Sequence, residues 1–119
     1  MSLVTGADVL ALAGAPRPDQ DQTTWADACA GALTAAIAQY LGLPELDPPD
    51  VPADTSGFAE IQPAATLAAV ELYKRREAPF GLTSYADAYG QAVRLSRDYL
   101  APILPTLRRW HPTAGVGIA

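Results

Sequence analysis

At 119 residues, half of them hydrophobic, the chain has room for one domain with a single modest core, because a body of this size buries only about two-thirds of its unfolded surface. Its net charge of −5 repels phosphate at long range and argues against a sequence-specific reader of nucleic acid. The longest apolar stretch, Ala28 to Ala38, is too short to span a bilayer, and the opening Met1-Ser2-Leu3-Val4-Thr5 carries no basic leader, so a soluble protein made in the cytoplasm is expected.

The elements follow in chain order. Thr5-Gly6-Ala7-Asp8 has the form of a capping box, with a hydroxyl for a free amide hydrogen and an acid at the positive end of the helix dipole. It predicts a short helix from Gly6 to Ala13, stopped by Gly14 and Pro16, and the polar stretch Pro18 to Gln22 reads as a loop. Thr24-Trp25-Ala26-Asp27 repeats the signature and opens a long helix to Leu41, where Gly42 supplies the left-handed cap and Pro44 prevents continuation. Trp25, Cys29, Leu33, Ile37 and Tyr40 fall on one face of it, and alanines with Gly31 leave the rest open to a closely approaching neighbour. Cys29 is the single cysteine, so no internal disulfide forms, and its mid-helix position makes it a small buried apolar side chain suited to a reducing compartment.

Residues 43 to 62 hold four prolines and five acids without any sustained period, and read as an extended acidic connection, either a surface crossover or a functional loop. Pro63 suits a first helical position, and Ala64 to Arg76 is predicted helical. This helix is apolar nearly all round, which predicts burial. It closes in Lys74-Arg75-Arg76, where cations complement the negative end of the dipole by ~0.3 to 1 kcal/mol each. From Pro79 to Ser96 the pattern is irregular, with Gly81 and Gly90 as hinges and Val93-Arg94-Leu95 alternating like a strand, so a hairpin or flexible arm is expected there. Tyr85 and Tyr89 are amphipathic rings that either meet a partner or cover the edge of the core. Asp98 caps a last short helix through Leu107, interrupted by Pro102 and Pro105, and residues 108–119 form a tail expected to order only on a partner. The resulting expectation is a mainly α protein, a small bundle of three to four helices over residues 1–107 with a long loop or β-hairpin arm.

Charge is divided unevenly along the chain. Residues 1–71 carry ten acids against Arg17, a net of −9, and residues 72–119 carry seven bases against Glu77, Asp87 and Asp98, a net of +4. Two readings fit this division: solvated faces of opposite sign, or identical subunits docking acidic side to basic side, head to tail, around a ring. Catalytic chemistry finds little support. His111 lies in the tail with no sequence-adjacent carboxylate, Cys29 has no cation in its helix to activate it, and the acids of residues 45–60 fit no calcium loop. Gly115-Val116-Gly117 does not open a helix over a phosphate. No catalytic residue, metal site or cofactor is expected.

In order, the chain presents an opening Asp8-Val9-Leu10 helix, a long helix ending Tyr40-Leu41-Gly42, and an apolar helix ending Leu72-Tyr73-Lys74-Arg75-Arg76. An Ala78-Pro79-Phe80-Gly81 turn follows, then Val93-Arg94-Leu95-Ser96-Arg97-Asp98 before a short closing helix. This layout, over most of the chain, resembles the head-tail connector proteins, also called adaptor or head-completion proteins, of long-tailed bacteriophages. It departs from the family at Tyr99-Leu100-Ala101-Pro102, where a proline is expected directly after Asp98. The resemblance implies a structural virion protein at the head-tail neck, made in the host cytoplasm and assembled twelvefold beneath the portal protein. There it would continue the DNA channel without gripping DNA specifically and present a surface to the next neck or tail-completion protein, with no membrane contact. Candidate subunit or portal contacts are Lys74, Arg75, Arg76, Tyr85, Tyr89, Arg108, Arg109 and Trp110. Two alternatives remain open: another neck or tail-completion protein, and a small DNA-binding or regulatory module using Lys74 to Arg76 and Arg94.

Overall fold

The computed structural model describes residues 3–15, 17–42, 50–75 and 85–110, side chains of residues 85–87 and 97 excepted. Its elements are α1 (Gly6–Ala13), α2 (Gln20–Tyr40), α3 (Phe58–Arg75), α4 (Tyr85–Leu100), a 3₁₀ turn (Ala101–Ile103) and α5 (Leu104–Trp110), with no strand among the described residues. The mainly helical bundle expected from the sequence is the fold observed.

α1 has its expected bounds: the Thr5 hydroxyl accepts from the Asp8 amide at 3.1 Å, and Gly14 closes the helix at φ 80°. α2 begins four residues before Thr24. Asp19 and Gln22 form a reciprocal capping box, with the Gln22 amide donating to Asp19 Oδ1 at 2.8 Å and the Asp19 amide to Gln22 Oε1 at 2.9 Å. Two free amides satisfied at once make this the stronger start, and the expected loop through Gln22 is corrected to helix. The predicted stripe Trp25, Cys29, Leu33, Ile37 is buried along its whole length, Tyr40 only partly.

α2 is the centre of the bundle, packed against α1, α3 and α4. Its contact faces also carry Ala26, Ala28, Ala30, Ala32 and Ala38, all buried, and small residues let helix axes come close. A polar group crosses this core: the Trp25 indole N–H donates to the Tyr73 carbonyl at 3.1 Å, tying the start of α2 to the end of α3. At the other end Asp50 Oδ1 accepts from the amides of Leu3 (3.1 Å) and Val51 (2.8 Å), and the Gln62 amide group donates to the Leu3 carbonyl at 3.2 Å. Part of the acidic connection is therefore a structural clasp that lets Leu3 and Val51 be fully buried.

α3 starts at Phe58, and Pro63 lies inside it rather than at its first position. The Gly57 carbonyl accepts from the amides of Glu60 (2.9 Å) and Ile61 (2.8 Å), so the first turn is nucleated upstream of the proline. Pro63 still sits within the first two turns, where its missing N–H leaves only the Ala59 carbonyl without an intrahelical donor.

The largest departure is α4. Residues 85–96, expected as part of a hairpin or flexible arm, are helical, and residues 79–84 of that stretch lie outside the described residues. Ala88, Ala92 and Ser96 recur every four residues and are all buried, which outweighs three residues of strand-like alternation at 93–95. The closing region also differs: α4 continues through Asp98 to Leu100, the prolines are absorbed by the 3₁₀ turn and the start of α5, and α5 runs to Trp110. Residues 108–110 thus belong to the folded body, which corrects the boundary drawn at 107; residues 111–119 lie outside the described ones.

Gly57 has φ 81°, and a Cβ there would overlap the Trp110 indole of α5. Gly14 has nearly the same φ, 80°, with open space around it. Gly14→Ala should therefore cost about 1–2 kcal/mol, the left-handed penalty alone. Gly57→Ala should cost about 2–5 kcal/mol, since overpacking adds to that penalty. Denaturant midpoints of the two variants measure the difference.

Candidate interaction surface

The sequence-derived contact residues separate into groups. Lys74 is exposed at the end of α3 and, with Arg17 and Gln22, lines a hollow of about 510 Å³ between the end of α1 and the start of α2. Arg75 is occupied by α4: its Nη1 donates to the Tyr99 hydroxyl at 3.2 Å and its guanidinium lies 6.0 Å from the centre of the Tyr99 ring. Arg76 falls outside the described residues. Tyr85 is the first residue of α4, and Tyr89 packs half-buried against the core, which is the edge-covering alternative for that ring.

Arg108 is exposed on α5, whereas Arg109 and Trp110 close on α3. Arg109 Nη1 pairs with Glu60 Oε1 at 2.8 Å, and the Trp110 indole N–H donates to Glu60 Oε2 at 2.7 Å, so one carboxylate holds both. Leu107, fully buried, anchors the same short helix. Nothing local in the sequence announces this pairing, because Glu60 and Trp110 are 50 residues apart.

A surface that sequence reading missed lies between α3 and the α4–3₁₀ corner. It is an apolar groove of about 240 Å³ walled by Ala64, Leu67 and Ala68 on one side and by Tyr99, Pro102 and Ile103 on the other, with Glu71 at its rim. Leu67 is 61% exposed, which corrects the expectation that α3 is buried all round. The sequence signal was the all-round apolarity itself: a helix with no polar face must show apolar side chains to solvent wherever its bundle leaves it uncovered.

The described residues contain no group of three or more His, Cys, Asp or Glu side chains placed to hold a metal ion, and none of their helices is long and apolar enough to cross a membrane. Cys29 is fully buried, and burial pushes its thiol well above the ordinary thiol range. His111 lies outside the described residues. No family model matches this chain, and no curated protein or solved structure matches it.

Two outcomes follow from this geometry. Glu60→Ala should remove two charge-assisted hydrogen bonds and loosen α5, at a cost of about 1.5–3 kcal/mol, and the Trp110 emission should shift to longer wavelength while that of buried Trp25 stays. Cys29 should react with an aromatic disulfide reagent at neutral pH only as fast as the native structure opens, so the rate should fall to the unfolding rate and rise with denaturant.

Proposed function

We propose that this chain is a structural head-tail connector of a long-tailed bacteriophage, one subunit of a ring that sits beneath the portal, extends the DNA channel and joins capsid to tail. The observation that carries the reading is the groove beside Leu67: a purely apolar recess on the surface of a domain with a small, alanine-rich core. Exposed apolar surface of this kind weakens a solitary globule and suits one whose neighbours cover it. The order of helical elements supports the same reading, since α1 opens with Asp8-Val9-Leu10 in its first two turns, α2 runs into Tyr40-Leu41-Gly42 and α3 ends in Leu72-Tyr73-Lys74-Arg75, the segments that carry the likeness to the connector family.

The proposed task is mechanical. A rigid bundle keeps its position in a ring under internal pressure, and an overall acidic protein lets DNA slide past because it offers the phosphates few fixed counter-charges. The opposed charge of the two halves suits side-by-side subunits, although Glu60 and Arg109, drawn one from each half, satisfy one another within the chain. Lys74 and Arg75 at the end of α3 and Arg108 and Arg109 on α5 are all exposed, with Arg75 and Arg109 already engaged by Tyr99 and Glu60.

Mixing the purified full chain with portal particles from the same genome and imaging them by electron microscopy tests this. A connector should add a ring of density, with the symmetry of the portal, to its tail-facing side. A chain that stays monomeric and leaves the portal bare would exclude the assignment.

A further inference from the structure

We propose that in the free subunit residues 112–119 of the same chain turn back along α3 and fill the groove between α3 and the α4–3₁₀ corner, with Val116 and Ile118 against Leu67, and that a neighbour displaces them on assembly. The contact itself needs no partner, whereas the displacement rests on the ring reading above. α5 sets where this segment begins. It runs from Ile103 in the groove wall to Trp110, whose indole N–H is held by Glu60 and whose ring lies against Gly57 at the start of α3. The chain therefore leaves Trp110 at one end of the groove. Glu60 also shares a stripe with the groove wall: Glu60, Ala64, Leu67 and Glu71 fall within about 60° of one another around α3, at 3.6 residues per turn. Gln62 and Tyr73 mark the side of α3 along which α1 and the residues before it lie, and are turned about 140–160° from Glu60.

Length and composition both fit. Leu67 lies about 10 Å along the helix axis from Glu60 and Glu71 about 16 Å, whereas the chain from Trp110 spans up to ~20 Å to Val116 and ~26 Å to Ile118 when extended. The difference leaves length for a reversal of direction, and Pro112 favours one by taking the residue before it out of the helical region. Residues 112–119 carry no charged side chain, as a recess with apolar walls requires. In an extended chain Ala114, Val116 and Ile118 face one side and Gly115 and Gly117 the other. The aliphatic side fits against Leu67, and the glycines let the backbone lie close to Ala64 and Ala68. A neighbour must then bury more apolar area than these small side chains do, so the groove stays closed to weak contacts until a ring subunit covers it.

The test uses the full chain carrying Val116→Cys with either Leu67→Cys in the groove or Ser56→Cys, an exposed site next to Gly57 and equally within reach of Trp110 but off the groove. Both sites are exposed, so unchanged circular dichroism of the reduced variants verifies folding, and native Cys29 stays out of the reaction because it is buried. Under oxidised glutathione the Leu67→Cys pair should close within one chain at least tenfold faster than the Ser56→Cys pair, at a rate independent of protein concentration. Equal rates for the two pairs, or a Leu67→Cys bond that forms only between chains, would overturn the contact whatever the chain does on a portal. Displacement is read separately: the chain locked by the disulfide should fail to load on portal particles and should load once reduced. Equal loading of the locked and reduced forms would overturn the displacement and leave the ring reading standing, and a chain that loads in neither form would end that reading while the oxidation rates still decide the contact.

Discussion

α2 is enclosed by α1, α3 and α4, and half of the residues it buries are alanines. A helix in that position must be approached closely or leave voids, and each alanine removes little apolar area from water, so packing density rather than side-chain bulk holds the bundle. The few large groups are consequently concentrated in the Trp25, Leu33, Ile37 stripe, and the Trp25 indole spans to the Tyr73 carbonyl to fix how α2 and α3 slide against one another. A buried hydrogen bond of this kind adds only ~0.5–1.5 kcal/mol net, but leaving the indole N–H unpaired in that interior would cost more.

The thin core explains the outer parts. The segment before α1 is pinned by Asp50 and Gln62, which brings Leu3 and Val51 in to enlarge what α2 and α3 can bury. α5, only seven residues long, could not persist alone and is held by Leu107 beneath it and by Glu60 gripping both Arg109 and Trp110. Gly57 is the residue that permits this closure, since it turns the chain into α3 and leaves space for the indole. Among the described residues no element lies over Leu67 on the outer side of α3. That leftover surface joins the fold to the proposed role in a ring.

The sequence was most legible where a local pattern coincided with packing. Thr5 and Gly14 bound α1 as expected, and the four-residue spacing from Trp25 to Ile37 marked the buried face of α2. It misled where two local signals competed. Thr24-Trp25-Ala26-Asp27 imitates a helix start, yet Asp19 with Gln22 satisfies more amides; Pro63 suits a first position, yet the Gly57 carbonyl already nucleates the turn. In α4 the cue was the Ala88, Ala92, Ser96 series, faint because alanine and serine hardly register as hydrophobic, and Gly90 with Val93-Arg94-Leu95 pointed the other way. For the surface, the candidates were chosen by charge and aromaticity. Arg75, Arg109 and Trp110 turned out to hold Tyr99 and Glu60, contacts set by the tertiary fold over 24 to 50 residues, which no local spacing encodes. Leu12 and Leu67 look like core residues until the bundle shows which sides it leaves uncovered.

Hydrogen exchange of the full chain, free and after assembly on portal particles, tests most directly whether this domain is a part completed by its neighbours. Assembly should slow exchange in α3 and in the 3₁₀ turn at residues 101–103, the two walls of the groove, while the already enclosed α2 stays unchanged. Identical exchange of α3 and the 3₁₀ turn in the free and assembled states would contradict it.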